Sequence, residues 1–257
     1  MHMANVMKND RLIPMLCGAL CVVGAFGVLE LLLRFDIINR YIVPLPSDVL
    51  GAFGRIVVEE DVLARCRETA YEMGVSAILV ILIGIPIGAV LYRFDSLRKA
   101  LEDWIAALAA APIVLAFPLF LVLFGRSSTT VIVMSIANGL APIILKTTEG
   151  LMSTRPVLIN VGKSLRLSQR QMFWSILFPS ALPLIFTGIR LSWTFVLISV
   201  VGVEFLINLG GLGQLINDLA ERYDMAGTYA AIGFVILVSV VFFVCLEHIE
   251  RVMGRRA

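Results

Sequence analysis

Charge is what this sequence has least of. Only 16% of its 257 residues are Asp, Glu, Lys or Arg, where a soluble domain carries about 25%. Twenty-one basic and nineteen acidic residues cannot cover a water-exposed surface of this size, which argues against a cytosolic enzyme, a nucleic-acid binder and a disordered chain. The net charge of +2 is too small to suggest a polyanionic partner. Histidine is nearly absent: His2 and His248 lie near the two ends. The four cysteines, Cys17, Cys21, Cys66 and Cys245, form no metal-spaced cluster and read as small apolar side chains in lipid or helix contacts. There is no glycine-rich phosphate loop and no nucleophile–base arrangement, so covalent chemistry and a bound cofactor are not expected of this chain. Repeats, low-complexity linkers and a second soluble domain are missing too. The His2-Met3 pair reads as a scar of expression.

What is abundant is apolar sequence: 59% of residues are hydrophobic and mean hydropathy is +0.94. These residues cluster in runs as long as a bilayer is thick, about 20 residues each. Six such runs occur, at 12–33, 74–92, 104–124, 129–146, 189–209 and 229–246. The first lacks a small-residue cleavage site and is read as a retained span. The expectation is an all-α polytopic membrane protein with six transmembrane helices. Several runs contain breakers, notably GIPIG (Gly84, Pro86, Gly88) and ANGLAPII from Ala137. In lipid the backbone groups freed by proline need neighbouring helices or water. Such helices either move and line a path, or pack closely through small residues. Sequence leaves both open.

Charge is sparse but ordered. The 146–190 flank holds Lys146, Arg155, Lys163, Arg166, Arg170 and Arg190 against Glu149 alone. Flanks on the opposite side are net acidic. The positive-inside tendency therefore places 146–190 and both termini in the cytoplasm. This gives a cytoplasmic N-terminus at 1–11, a transmembrane domain at 12–250 with an outer segment at 34–73, and a cytoplasmic tail at 251–257. In the outer segment, YIVPLPSD (41–48) predicts a helix toward Val58, capped by Ser47 or Asp48. A further helical stretch, 62–73, runs into the second span.

The most informative segment is 150–179. Arg155-Pro156 can start a helix at about Val157. Val157, Leu158, Val161 and Leu165 recur at helical spacing, followed by a second cluster of Met172, Phe173 and Ile176. Lys163, Arg166, Gln169 and Arg170 occupy the other faces, and Pro179 and Pro183 are expected to interrupt any regular helix before the next span. Such a pair of short amphipathic helices could lie at a lipid interface, connect two spans, or dock in a groove of a cytosolic partner.

Residue order adds a resemblance. Ile176, Phe178 and Pro179, followed by SALPLIFTGIRLSW with Gly188, Ile189 and Arg190, resemble the cytoplasmic loop of permeases in bacterial ATP-binding cassette (ABC) importers. In that family the loop reads Glu-Ala-Ala, three residues, Gly, nine residues, Ile, one residue, Pro or Leu-Pro. Glu204 and the turn Gly210, Gly211, Leu212, Gly213 resemble a membrane glutamate and Gly-Leu-Gly turn of the sulfonate, taurine, nitrate and bicarbonate branch. YIVPLPSDV, PLFLVLFG at 118–125 and the stretch from Gly139 to Gly150 agree, so the resemblance covers about 40–250. It implies a type I ABC importer permease fold with cytoplasmic coupling helices in the bacterial inner membrane. It also implies a second permease chain, identical or homologous, and two cytosolic ATPases, where ATP and magnesium would bind. A periplasmic or lipid-anchored binding protein would deliver the solute.

The opening of the loop departs from that pattern. Asn160, Val161 and Gly162 stand at the Glu-Ala-Ala positions and Arg166 at the glycine, whose permissive backbone arginine lacks. Either this is the divergent half of an importer with two unlike permeases, or the loop is co-adapted to its own ATPase; a permease that has lost coupling is the third reading. The resemblance makes Asn160, Val161, Gly162, Arg166, Arg170, Met172, Phe173, Ile176 and Pro179 the ATPase-coupling set. Structural or gating roles fall to Gly84, Pro86, Gly88, Gly188, Arg190, Gly210, Gly211 and Gly213. Glu204 is the first path candidate, because an intramembrane charge is costly unless paired or wetted; pairing across a dimer or with the outer loop is the other reading. Asn138, Ser135, Ser192, Thr194 and Ser199 are uncharged path candidates, although such residues often satisfy helix bonds. Glu30 is read as interfacial. The implied solute is a small organic or inorganic anion, such as a sulfonate, taurine, nitrate or bicarbonate. Alternatives are a pyrimidine vitamin precursor or, from another class, a secondary transporter; a non-transporting scaffold would not need the ordered loop.

Overall fold

The computed structural model describes residues 2–39 and 42–254, with side chains from Cys17 onward except Ala19 and those beyond His248. The expectations placed on Met1, Tyr41 and residues 255–257 lie outside the described residues. The described chain is helical throughout, with no strand among those residues, and it divides into two compact units.

The first unit joins residues 1–61 to 218–233. α1 (His2–Arg34) runs through the first predicted span. α2 (Pro46–Glu59) begins with proline in its first turn, so its N-cap is Leu45 and neither Ser47 nor Asp48 caps it. Proline's fixed φ starts the helix one residue before the expected cap. Ser47 instead donates from its hydroxyl (2.9 Å) and its backbone N–H (3.2 Å) to the Glu30 carboxylate, which also accepts from Arg34. Glu30 thus ties the end of α1 to the start of α2. Elsewhere in this unit Arg55 of α2 pairs with Asp224 at 2.5 Å, and Arg222 pairs with Glu60 at 2.7 Å. Burial works to raise the Asp224 carboxyl, but hydrogen bonds from Arg55 and the Gly227 N–H outweigh it and hold the group below its usual range.

The second unit comprises 62–217 and 234–257. α3 (Val62–Arg93) absorbs the 62–73 stretch into the second span as one 32-residue helix. The third predicted span is not a single helix. α4 (Asp95–Ala110) and a short 3-10 turn leading into α5 (Phe117–Phe124) meet at an 85° bend. Pro112 forces the residue before it out of the helical region, and Ala111 is extended at φ −73°, ψ 132°. α6 (Ser128–Met152) leads to α7 (Pro156–Ser164). α8 (Gln169–Met172), a π-helical turn at Phe173–Leu177 and α9 (Phe178–Ile207) follow without a break. The expected interruption at Pro179 and Pro183 is therefore absent: Pro179 sits in the first turn of α9, where its missing N–H costs little, and Pro183 is carried inside the helix. α10 (Gly211–Glu221) and α11 (Met225–Gly254) complete the chain.

Four described helical runs are long and apolar enough to cross a membrane, and the bent α4–α5 pair makes five. α3, α6 and α9 form the core of the second unit. Its centre holds Val80, Met134, Ile143, Ile185, Val196 and Val200. Small residues let these helices approach closely. A Cβ added at Gly88 would lie 2.9 Å from the Ile144 carbonyl, and one at Gly139 would lie 2.8 Å from Val196.

Candidate functional site

Two constructions in the second unit merit description. The first is where α9 hands over to α10. Asn208 ends α9 in the left-handed conformation (φ 55°), and its carbonyl accepts from Arg126. Gly210 and Gly211 follow at φ +146° and +74°, values that favour glycine. The turn delivers the first N–H groups of α10 onto side chains of α3 and α9. Gly211 N–H donates to Glu68 (2.9 Å), Leu212 N–H to the Thr69 hydroxyl (2.9 Å), and Gly213 N–H to Glu204 (2.8 Å). Thr69 in turn donates to Glu204 at 2.8 Å. A helix start carries unpaired donors and a partial positive charge, so a carboxylate there is stabilised twice over.

Glu204 is only 1% exposed, held by Thr69 of α3 and the Gly213 N–H of α10. Sequence reading missed its partners Thr69 and Glu72, and also Glu68, which accepts from Gly211; the signal for the two glutamates was acidic residues at helical spacing leading into an apolar run. Glu68, Glu72 and Glu204 line a cavity of about 210 Å³ with Ser128 and Gly210. One carboxyl oxygen of the buried Glu72 has no hydrogen-bond partner there.

The second construction is the 150–179 segment. α7 ends in a Schellman turn: Leu167 N–H donates to the Gly162 carbonyl and Arg166 N–H to that of Lys163, both at 3.0 Å. Arg166 occupies the left-handed position at φ 51°. Contrary to the sequence expectation, arginine does adopt the conformation that glycine would make easy; the two hydrogen bonds hold it there. The close approach between the two short elements falls elsewhere, at Gly162. A Cβ there would lie 2.5 Å from the Met172 methyl and 2.7 Å from Ile176 Cδ1. Ser168 and Gln171 form a reciprocal capping box at the start of α8. Phe173 is half-buried and stacks with Trp174 and Phe178 at 5.2 and 5.9 Å. Val157, Leu158, Val161 and Leu165 present an exposed apolar face on α7. Asn160, Arg166 and Arg170 are exposed as well, while Pro179 is half-buried.

The remaining candidates disperse. Ser135, Ser192 and Ser199 are buried within the bundle. Asn138 donates to the Phe195 carbonyl of α9 (3.2 Å), and Thr194 donates back to its own helix at Arg190. Gly84, Gly88 and Gly188 face Ile143, Thr147 and Lys146 of α6. Pro86 and Arg190 are exposed. Among the described residues no group of three His, Cys, Asp or Glu side chains is placed to hold a metal ion.

A bundle of helices long and apolar enough to cross a membrane defines the class of polytopic membrane protein. Comparison with known proteins makes that class specific. Residues 80–255 match the family described as binding-protein-dependent transport system inner membrane component, and the chain belongs to this family of ABC importer permeases, whose members are transport subunits and not enzymes. The chain is 23% identical over 210 residues to the formylaminopyrimidine transport permease ThiX of Halalkalibacterium halodurans, covering 81% of this chain and 84% of that one. It is 30% identical to the nitrate import permease NrtB of Synechocystis sp., over 61% of this chain and 56% of the relative. With the taurine permease TauC of Escherichia coli it shares 26%, over 66% and 62%. These last two alignments therefore span less than two thirds of the relatives. An inward-facing structure of the MetNI methionine ABC transporter contains a chain of the same fold, with TM-score 0.65 and 19% identity over 74% of this chain and 95% of that one.

Proposed function

We propose that this permease forms the translocation path for a small organic or inorganic anion, such as a sulfonate, taurine, nitrate or bicarbonate, and is driven by ATPases docked on residues 157–178. Its partners are a second permease chain, identical or homologous, two cytosolic ATPase subunits that hold ATP and magnesium, and a periplasmic or lipid-anchored binding protein. Residues 12–250 form the transmembrane domain. The tails 1–11 and 251–257 and the 150–179 segment face the cytoplasm, in keeping with the basic flanks.

The observation that carries the coupling assignment is the exposed apolar face of α7. A soluble-facing helix does not leave Val157 at 70% and Leu165 at 67% exposure without a partner to cover them. The Schellman turn at Arg166 and the Gly162–Met172 contact hold that face rigid, so a push on α7 passes through the π turn into α9. ATP binding then shifts the path between inside-open and outside-open states by its unequal affinity for the two. Phe173 serves as the aromatic joint between knob and span, and Phe173→Ala is expected to lower coupled transport while leaving insertion intact.

The solute class draws support from relatives named for nitrate, taurine, bicarbonate and aliphatic sulfonates. The ThiX relative, with the longest coverage of both chains among those described above, favours a pyrimidine precursor as the second reading. The test of coupling is capture of the cognate ATPase by full-length chain carrying Val157→Asp and Leu165→Asp. Capture should be lost with membrane insertion unchanged; retained capture refutes the docking face. Uptake into proteoliposomes with the cognate binding protein, offered each solute class in turn, decides between the two solute readings.

A further inference from the structure

Behind the knob, between the end of α3 and the α7–α9 segment, lies a cavity of about 580 Å³. Its lining is largely apolar and aromatic, with Tyr92, Phe173 and Trp174 among its walls, and its charged residues are Arg93, Lys163 and Arg170. No carboxylate lines it. All three cations are exposed at the rim. Arg93 also donates to the Gln169 side chain at 2.7 Å, which joins the end of α3 to the start of α8. The cavity sits where two spanning runs meet water: α3 finishes at Arg93 and the 39-residue run through α9 starts at Gln169. Trp174, 58% exposed, is the residue type that settles at a headgroup level.

The geometry points to a binding site for an anionic phospholipid, its phosphate held by Arg93, Lys163 and Arg170 and its acyl chain laid along Phe173 and Trp174. Charge complementarity selects this occupant. A zwitterionic lipid brings a choline cation that cancels its phosphate's charge and is repelled by the three basic side chains, and an apolar peptide would leave all three without a counter-charge. Arginine and lysine grouped on an apolar floor between spans suit a phosphate on a hydrocarbon stem. The site shares Lys163, Arg170 and Phe173 with the proposed docking segment but none of the exposed apolar face of Val157, Leu158, Val161 and Leu165, so it rests on the chain lying in a membrane and not on that face being covered. Since one wall of the cavity is the Lys163–Leu177 segment, a bound lipid would brace the knob from behind.

Trp174 supplies its own reporter. In the full chain, Trp104→Phe and Trp193→Phe leave it as the sole tryptophan; phenylalanine at 193 keeps the ring contact with Phe242, now at 4.6 Å. The protein is placed in phosphatidylcholine vesicles containing either phosphatidylglycerol or phosphatidylcholine with brominated acyl chains, and quenching of Trp174 is read. Brominated phosphatidylglycerol should quench more strongly at equal mole fraction, with a preference that falls as salt rises. Arg93→Gln should weaken the preference about fivefold, and Lys163→Gln as much again. Gln169→Ala, which removes the hydrogen bond but keeps the charge, should leave it unchanged. Equal quenching by the two lipids, or a preference that survives the double charge variant, would overturn the site. Reversal of the preference by inorganic phosphate would assign it to a free anion and overturn the lipid.

Discussion

Replacing Glu204 by leucine separates its two conceivable roles. In the structure its carboxylate receives the Gly213 N–H at 2.8 Å and the Thr69 hydroxyl at 2.8 Å, inside a site where the residue is 1% exposed. Leucine fills similar volume but accepts nothing. The Gly213 donor is then buried without a partner, at a cost of about 1–3 kcal/mol, and the Thr69 hydroxyl loses an acceptor worth about 0.5–1.5 kcal/mol. Some of this is recovered because Thr69 still accepts from Leu212. The net expectation is a loss of about 1–4 kcal/mol, or roughly 2–16 °C in midpoint at this chain length. Glu204→Gln keeps one acceptor oxygen and should cost about 1–2 kcal/mol. The assay is thermal unfolding of purified full-length chain in detergent, run beside uptake in vesicles. A leucine variant as stable as the parent refutes the capping argument. A glutamine variant with full stability and no transport would return Glu204 to the path.

Gly213→Ala attacks the same junction from the backbone side. Its Cβ would lie 2.6 Å from Glu204 Cβ and 2.7 Å from the Phe205 nitrogen, so α10 must lift off α9; a loss of about 1–3 kcal/mol is expected in the same unfolding assay. Arg166→Gly should tighten the loop. Relief of a left-handed non-glycine residue, about 1–2 kcal/mol, exceeds the extra chain entropy of glycine, about 0.5–1 kcal/mol; amide exchange at Leu165–Leu167 should slow, and faster exchange would count against the argument. Asp224 predicts an acid effect. Its folded carboxyl titrates below the unfolded one, so the stability it lends is present above the unfolded value and fades as pH falls through the folded one. Amide protection of α2 should drop on acidification, and Asp224→Asn should remove that dependence while lowering protection at neutral pH.

The contrast between these sites shows what a sequence displays. Span positions were readable because burial in lipid demands about twenty apolar residues in a row, a local property. The knob was readable too, since amphipathic spacing and the Arg155-Pro156 start are local. The bend at Ala111-Pro112 was in plain sight, but the apolar run continues through it; hydropathy has no term for direction. Pro179 and Pro183 carried the opposite risk: the residue type says interruption, yet Pro179 stands in the first turn of α9 and the helix carries Pro183 inside it.

Sequence alone determined the solvent this protein lives in, the positions of its spans and, through the order of loop residues, its family. Tertiary structure decided what individual residues do. Glu204 became a helix cap because Thr69, 135 residues before it, and Gly213, nine residues after it, converge on its carboxyl group. The two short elements of the loop meet closely at Gly162 and not at the glycine position of the motif, residue 166, because packing depends on which atoms face each other and not on which motif position they hold. Arg93 joined Lys163 and Arg170 around one cavity only because α3 happens to end beside α8. Composition and periodicity are sums along the chain, whereas a site is a coincidence in space, and that coincidence is fixed only when the helices pack.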